Sequence, residues 1–245
     1  KFGGFAAPLH LLKKDTDILE LWHGPTSAFK DMALQILPHF LTRAVRKTGE
    51  QKKSVILVAT SGDTGKAAMA GFSDVPDTEV IVFYPHGGVS DAQRLQMTTQ
   101  RGNNVHAVAV EGNFDDAQTG VKLLFGKAEL AAELKEQGCA FSSANSINWG
   151  RLVPQIVYYF SAYADAVEKG RIQNGTEIVF SVPTGNFGDI LAGYYAKLMG
   201  LPVKKFICAS NSNNVLTDFL TTGTYDARRT FYKTTSPSMD ILCLL

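Results

Sequence analysis

Short apolar segments alternate with helical segments along most of this chain, and that alternation limits the folds open to it. Five segments have the continuous apolar, β-branched character of buried strands: 55–59, 79–84, 105–110, 177–182 and 204–210. Helical periodicity or capping signals predict helices between and around them at 28–46, 65–72, 90–100, 115–137, 151–168 and 187–199. Strands alternating with helices indicate parallel sheets covered by helices on both faces. We therefore expect an α/β protein.

Composition excludes several other classes. The 245 residues carry 24 Lys and Arg against 23 Asp and Glu, so charge favours neither a nucleic-acid nor a membrane partner. No segment reaches the ~18 consecutive apolar residues of a membrane span, and the first residues lack a signal-peptide pattern. The three cysteines lie far apart and the five histidines lack metal-ligand spacing. We expect reduced thiols, a cytoplasmic location and no metal.

The segment His23-Gly-Pro-Thr-Ser-Ala-Phe-Lys-Asp is the first candidate for chemistry. A turn at Gly24-Pro25 places Lys30 in the first turn of the helix predicted at 28–46. The positive end of the helix dipole and the neighbouring Phe29 are both expected to disfavour an ammonium there, as Schiff-base chemistry requires. A solvated surface lysine is the alternative.

Two glycine-bearing turns join a strand to a helix. They are Thr60-Ser-Gly-Asp-Thr-Gly-Lys66 and Pro183-Thr-Gly-Asn-Phe-Gly-Asp189. Backbone N–H groups at such helix starts form anion cradles at the carboxyl ends of parallel strands. Neither turn has Walker A or dinucleotide-binding spacing, and each is also explained by a tight turn alone. A reactive lysine with two cradles suggests pyridoxal 5′-phosphate (PLP) and an anionic amino-acid substrate.

These segments resemble the threonine synthases, which are fold-type II PLP enzymes. The lysine motif, Ser61-Gly-Asp-Thr-Gly65, Ser143-Ala-Asn-Ser-Ile-Asn148, the 183–189 turn, 211–214 and Ser236-Pro-Ser-Met-Asp240 match in order. The resemblance covers nearly the whole chain. It implies two α/β domains with mostly parallel sheets in three αβα layers: an incomplete large PLP domain, 1–29 with 146–245, and a small domain, 30–145.

The resemblance also implies roles for individual residues. Lys30 would hold PLP as a Schiff base and shuttle protons at the substrate carbons. The cofactor-binding residues would be Lys30, Asp63, Gly185, Asn186, Phe187, Gly188 and Asp189. The substrate-binding residues would be Ser61, Gly62, Thr64, Gly65, Asn145 and Asn148.

The implied reaction is that of a carbon–oxygen lyase acting on phosphates, with water and O-phospho-L-homoserine giving L-threonine and phosphate. A monomer or homodimer is expected. The alternatives are a related PLP phospho-lyase or serine/threonine dehydratase that releases a 2-oxo acid, and an inactive fragment. In the family, chains usually extend well beyond both ends seen here, and the residue that faces the pyridine nitrogen lies further downstream. Pro85-His-Gly-Gly88 lacks the lysine or arginine that many relatives place there.

Overall fold

The computed structural model describes residues 2, 4, 6–145, 148–185, 187–226, 228–230, 232 and 234–240. The chain divides into two compact units, Lys1–Pro154 and Gln155–Leu245. The domain division expected from the sequence, 1–29 with 146–245 against 30–145, stays a prediction. The elements in chain order are β1 (Leu9–Lys13), β2 (Thr16–Leu19), α1 (Asp31–Leu34), α2 (Leu37–Thr48), β3 (Lys53–Ala59), α3 (Asp63–Phe72), β4 (Thr78–Pro85), α4 (Asp91–Thr98), β5 (Val105–Val110), α5 (Phe114–Gly126), α6 (Ala128–Glu136), β6 (Cys139–Ser143), α7 (Trp149–Glu168), β7 (Ile178–Pro183), α8 (Gly188–Leu198), β8 (Val203–Ala209) and α9 (Val215–Thr222), followed by a 3₁₀ turn at Pro237–Met239.

A four-stranded parallel sheet with the order β5-β4-β3-β6 forms the centre of the first unit. One face, which includes Ile56 and Val82, packs against a core that contains residues of α1, α2, α3 and α4. The opposite face, which includes Leu57, packs against Ala117 and Val121 of α5. Because both faces are covered, the strands are apolar along their length. The predicted α/β class with mostly parallel strands and flanking helices is confirmed.

The second unit is built around the parallel pair β7-β8. Tyr159 of α7 packs edge-on against Phe180, with ring centroids 4.9 Å apart. Gly193 brings α8 close to the same cluster, since a Cβ there would lie 2.7 Å from Phe206 and 2.8 Å from Tyr159. The strands predicted at 177–182 and 204–210 are confirmed to within one residue at each end.

Two helix predictions are wrong. The helix expected over 28–46 is divided into α1 and α2, because Pro38 lacks an N–H and a proline ring inside a helix clashes with the preceding turn. The helix expected over 115–137 is divided at Lys127, which has an extended backbone with ψ 100. Gly126, a weak helix former, precedes this break.

Four elements have no counterpart in the sequence prediction. β1 and β2 form an antiparallel hairpin, and α9 follows β8. Strand β6 ends on the polar pair Ser142 and Ser143. No helix among the described residues is long and apolar enough to cross a membrane. Cys139 and Cys208 are free thiols, and Cys243 lies outside the described residues.

Candidate active site

The loop before α1 is organised by a buried carboxylate. Asp31 is fully buried, and its two oxygens accept hydrogen bonds from the Thr26 N–H at 2.9 Å and the Thr26 hydroxyl at 2.8 Å. Gly24 packs directly on it, since a Cβ at Gly24 would lie 2.4 Å from the Asp31 Cβ. Between them, Ser27 has a φ of 55, a left-handed conformation that is uncommon for a side-chain-bearing residue. These contacts fix the backbone that leads into Lys30.

Lys30 is buried, with 8% of its surface exposed, so the solvated-lysine alternative does not describe it. It is the N-cap residue of the four-residue helix α1, and so short a helix supplies little of the dipole that the sequence argument used. Its Nζ lies 4.3 Å from the Phe29 ring centroid and 3.6 Å from Oδ2 of Asp63. Both contacts favour an ammonium. Burial of Lys30 acts the other way and disfavours the charged form, so the charge-disfavouring environment expected for Lys30 stays a prediction.

The 60–65 turn occupies the predicted place between a buried strand and a helix. Thr60 Oγ1 accepts hydrogen bonds from the N–H groups of Gly62 and Gly65, at 2.9 and 3.0 Å. Gly62 has a φ of 128, which favours glycine. A Cβ on Gly65 would lie 2.5 Å from Val82 and 2.6 Å from Thr60, so glycine allows the backbone to approach the sheet. Half-buried Ser61 and Thr64 lie on this turn.

Asp63 opens α3 from this turn and is held by several partners. Its Oδ1 accepts a hydrogen bond from Gln93 Nε2 at 2.8 Å and lies 3.1 Å from Lys66 Nζ. Burial alone would raise the pKa of Asp63, but the charge of Lys30, the Gln93 hydrogen bond and the contacts with Lys66 outweigh it and lower the pKa below its usual value. The carboxylate is therefore ionised at neutral pH.

Lys66 and Gln93 were not predicted as site residues. Lys66 had a signal in the sequence, since it follows Asp63 by three residues and so lies on the same face of α3. Gln93 is 30 residues from Asp63, and nothing in the local pattern links the two. Its position depends on how α3 and α4 pack.

Asn145 and Asn148 follow β6, the parallel neighbour of β3, and so lie at the same edge of the sheet as the 60–65 turn. The Asn148 side chain supports its own loop: Nδ2 donates to the Ser143 carbonyl at 2.7 Å and Oδ1 accepts from the Gly150 N–H at 2.9 Å. Asn145 Oδ1 is buried and has no hydrogen-bond partner among the described residues. Such an atom fits a site that a bound ligand completes.

The 183–189 turn belongs to the second unit. Gly188 begins α8, so its backbone and that of Gly185 and Phe187 lie at a helix start, as predicted; Asn186 lies outside the described residues. Asp189 Oδ1 accepts hydrogen bonds from the hydroxyls of Tyr158 at 2.6 Å and Tyr159 at 2.7 Å. Burial, and secondly the charge of Asp189, raise the pKa of Tyr159 far above its usual value.

The structure thus brings together Lys30, Asp63 and the 61–65 turn in the first unit, with Asn145 and Asn148 at the same sheet edge. The 185–189 turn forms a separate group in the second unit. Within the described part of the chain, no cluster of histidine, cysteine and carboxylate side chains could hold a metal ion.

Comparison with known proteins gives consistent relatives. The family model for "Pyridoxal-phosphate dependent enzyme" matches residues 18–241. The human protein "Threonine synthase-like 1" is 49% identical over 243 residues, which are 96% of this chain and 32% of that protein. The threonine synthase of Pseudomonas aeruginosa is 46% identical over 245 residues, covering 98% of this chain and 50% of the relative.

A solved structure, the PLP-bound threonine synthase from Brucella melitensis, superposes with a TM-score of 0.85 at 44% identity. That match covers 98% of this chain and 49% of the other. The chain therefore spans about a third to a half of the length of these relatives.

Proposed function

Since the chain belongs to the family of pyridoxal-phosphate dependent enzymes, we propose that it carries the lysine-bearing part of a threonine synthase. The proposed reaction converts O-phospho-L-homoserine and water to L-threonine and phosphate. The main support for this proposal is the buried Lys30, whose Nζ lies 3.6 Å from Asp63 Oδ2 at a glycine-bearing helix start. Relatives named threonine synthase, at 42–46% identity, support the choice of reaction.

The residues present fit PLP as the cofactor. Lys30 supplies a buried amine, and Asp63 is an ionised carboxylate beside it. The start of α8 supplies backbone N–H groups of the kind that bind phosphate. When bound, the cofactor supplies an electron sink for negative charge on a substrate carbon.

In this proposal Lys30 Nζ holds the cofactor and moves protons at the substrate carbons. Gly185, Phe187 and Gly188 bind the cofactor phosphate through their backbone N–H groups, as does Asn186. Asp189 contributes by anchoring the turn, because its carboxylate would repel a phosphate and its Oδ1 is occupied by two tyrosine hydroxyls.

We propose the 61–65 turn as the substrate-binding part of the first unit. The hydroxyls of Ser61 and Thr64 are suited to a carboxylate, since they lie where α3 begins with N–H groups unpaired by the helix. Gly62 and Gly65 contribute by shaping the turn, because their own N–H groups donate to Thr60 Oγ1. Asn145 orients the substrate through its buried amide. Asn148 acts by holding the loop that carries Asn145.

The test uses the purified protein with PLP and O-phospho-L-homoserine, and assays phosphate and threonine in the same sample. Equal amounts of both products support the proposal. Borohydride should fix the cofactor to the peptide that contains Lys30. Lys30→Ala should abolish this fixation and lower turnover about 10³-fold or more. Lys122→Ala, which removes an exposed lysine of α5, should change neither. Protein that binds no PLP would refute the proposal.

A second candidate is a related PLP enzyme that releases a 2-oxo acid from a hydroxy-amino-acid phosphate, or dehydrates serine or threonine. It is favoured by the relatives at 49% identity, whose name, threonine synthase-like 1, does not commit to threonine as product. In the same assay, 2-oxobutyrate and phosphate without threonine would favour this candidate. A cytoplasmic location and a monomeric or homodimeric state stay predictions.

A further inference from the structure

A second buried lysine shares the carboxylate that faces Lys30. Lys66 lies on α3, one turn after Asp63, and only 8% of its surface is exposed. Its Nζ is 3.1 Å from Asp63 Oδ1, whereas Lys30 Nζ is 3.6 Å from Oδ2. Asp63 therefore lies between two ammonium groups, with a different oxygen turned toward each.

This arrangement is costly for a purely structural ion pair. Each buried charge loses hydration, and Lys66 lies near the amino end of α3, where the helix dipole disfavours a cation. One lysine suffices to neutralise one carboxylate. With both lysines protonated, the three side chains sum to one positive charge; with Lys30 as the free amine, they sum to zero. The cluster is balanced in the form of Lys30 that acts as a nucleophile.

The orientation of Asp63 is fixed from the same side. Gln93 Nε2 donates to Oδ1, the oxygen that Lys66 contacts, and Gln93 Oε1 accepts from the Ser90 N–H at 3.1 Å. Oδ1 is therefore held by α3 and α4, and Oδ2 is left turned toward Lys30. The carboxylate of the neighbouring Asp31 accepts hydrogen bonds from Thr26, which hold it on the loop before α1.

We propose that Lys66 is a positioning residue that balances the charge of Asp63, so that Lys30 releases its proton at a lower pH than it would beside Asp63 alone. The charged groups that face Asp63 in this account are Lys30, from the loop before α1, and Lys66, from α3; α4 contributes the neutral amide of Gln93. The proposal rests on the proposed function only in taking Lys30 as the reactive amine.

The test measures the reactivity of Lys30 itself, so it does not depend on which product the enzyme forms. The cofactor is removed from the full-length protein, and the rate at which an amine-specific reagent labels Lys30 is followed against pH by peptide mass spectrometry. Lys66→Gln removes the charge but keeps a donor for Asp63 Oδ1. It should move the labelling midpoint up by about one pH unit, which lowers the labelling rate below the midpoint about tenfold.

Three further variants separate this role from a structural one. In an Asp63→Asn background, Lys66→Gln should shift the midpoint by less than about a third as much, because Lys66 acts through Asp63. Lys66→Met removes both charge and hydrogen bond and should give a shift of the same sign, with circular dichroism reporting folding. Lys53→Met removes an exposed lysine that pairs with Glu79 at the start of β3, and should leave the midpoint unchanged.

An unchanged midpoint in Lys66→Gln would overturn the proposal. So would an equal shift in the Asp63→Asn background, which would mean that Lys66 acts on Lys30 directly. Loss of threonine formation with normal labelling in every variant would count against both the role of Lys66 and a functional link to Lys30. A labelling shift in a protein that forms a 2-oxo acid would support the role of Lys66 and refute only the choice of reaction.

Discussion

The hydroxyl of Tyr159 donates to Oδ1 of Asp189 across 2.7 Å, and the hydroxyl of Tyr158 reaches the same oxygen at 2.6 Å. Asp189 lies in the first turn of α8, so two neighbouring tyrosines of α7 fix the start of the helix that carries the 185–188 turn. Asp189 is buried. Its charge is stabilised by these donors and by the helix start.

Tyr159→Phe should lower the free energy of unfolding by about 1.5–3 kcal/mol, because it removes a hydrogen bond to a buried charge. It should also weaken the binding of PLP, since the start of α8 loses one of its supports. Urea unfolding and a cofactor titration measure the two effects. Tyr194→Phe is the matched control, because Tyr194 lies on α8 with half of its surface exposed. Equal effects of the two variants would contradict this account.

The periodicity of the sequence predicts the central strand β3 because burial on both faces imposes a continuous apolar segment, and every residue of β3 after Lys53 is buried. The strand expected at 105–110 is β5 itself, and the Ser90 cap of α4 is present with its full capping box. The periodicity misses the division of the first helix at Pro38. The spacing of apolar residues carries no information about the backbone N–H that proline lacks. It also misses the β1-β2 hairpin, in which Leu9 is the single buried residue.

The candidate site can be predicted from the sequence in part. A motif such as the 60–65 turn is recognisable because all the residues that form it are adjacent in the sequence. Asp63 contacts both Lys30 and Lys66. Its contact with Lys30 depends on how α1 packs against α3. No spacing rule connects Lys30 to Asp63, which follows it by 33 residues. The expectation for Lys30 considered only Phe29 and the helix start, and so could not include the contact with Asp63 at 3.6 Å.

Gly71→Ala should lower the free energy of unfolding by about 3 kcal/mol. Gly71 lies where α3 crosses α1, and a Cβ there would be 2.0 Å from the carbonyl oxygen of Leu34, so the two helices must move apart. Since α1 follows Lys30 directly, borohydride fixation of the cofactor should also decrease. Thermal unfolding and peptide mapping measure these effects.

The matched control for this change is Gly120→Ala on α5, where no heavy atom lies within 4 Å of an added Cβ. That variant should raise stability by up to about 1 kcal/mol through helix propensity. Equal stability of the Gly71→Ala and Gly120→Ala variants would show that α1 and α3 do not approach each other this closely.

The stability that Asp63 contributes should depend on acid pH. Its folded-state pKa is lowered, so this contribution is complete above the unfolded value of about 3.9 and is lost as the pH falls through the lower, folded value. At pH 7, Asp63→Asn should cost about 3 kcal/mol, because two buried lysines lose their counter-charge. The difference from the unaltered protein should shrink below about pH 4.

Urea unfolding across the pH range measures this difference. Asp165→Asn is its control, since Asp165 forms an i,i+4 pair with Lys169 on a more exposed helix face, and such pairs contribute about 0.5 kcal/mol or less. A difference for Asp63→Asn that stays constant down to pH 3 would show that the charge of Asp63 does not stabilise the fold.

Asp31→Asn should disturb the position of Lys30 more than the overall fold. Asp31 accepts from the N–H and hydroxyl of Thr26, and an amide there brings its own N–H groups against one of these donors. An unsatisfied buried donor costs about 1–3 kcal/mol, and the strained Ser27 backbone loses its support. Cofactor fixation on Lys30 should therefore fall by more than the loss of folded protein explains.

Asp91→Asn is the control. It changes an exposed position of the first turn of α4, and should leave fixation unchanged and stability within about 0.5 kcal/mol. Normal fixation in Asp31→Asn would mean that the loop before α1 keeps its shape without this carboxylate.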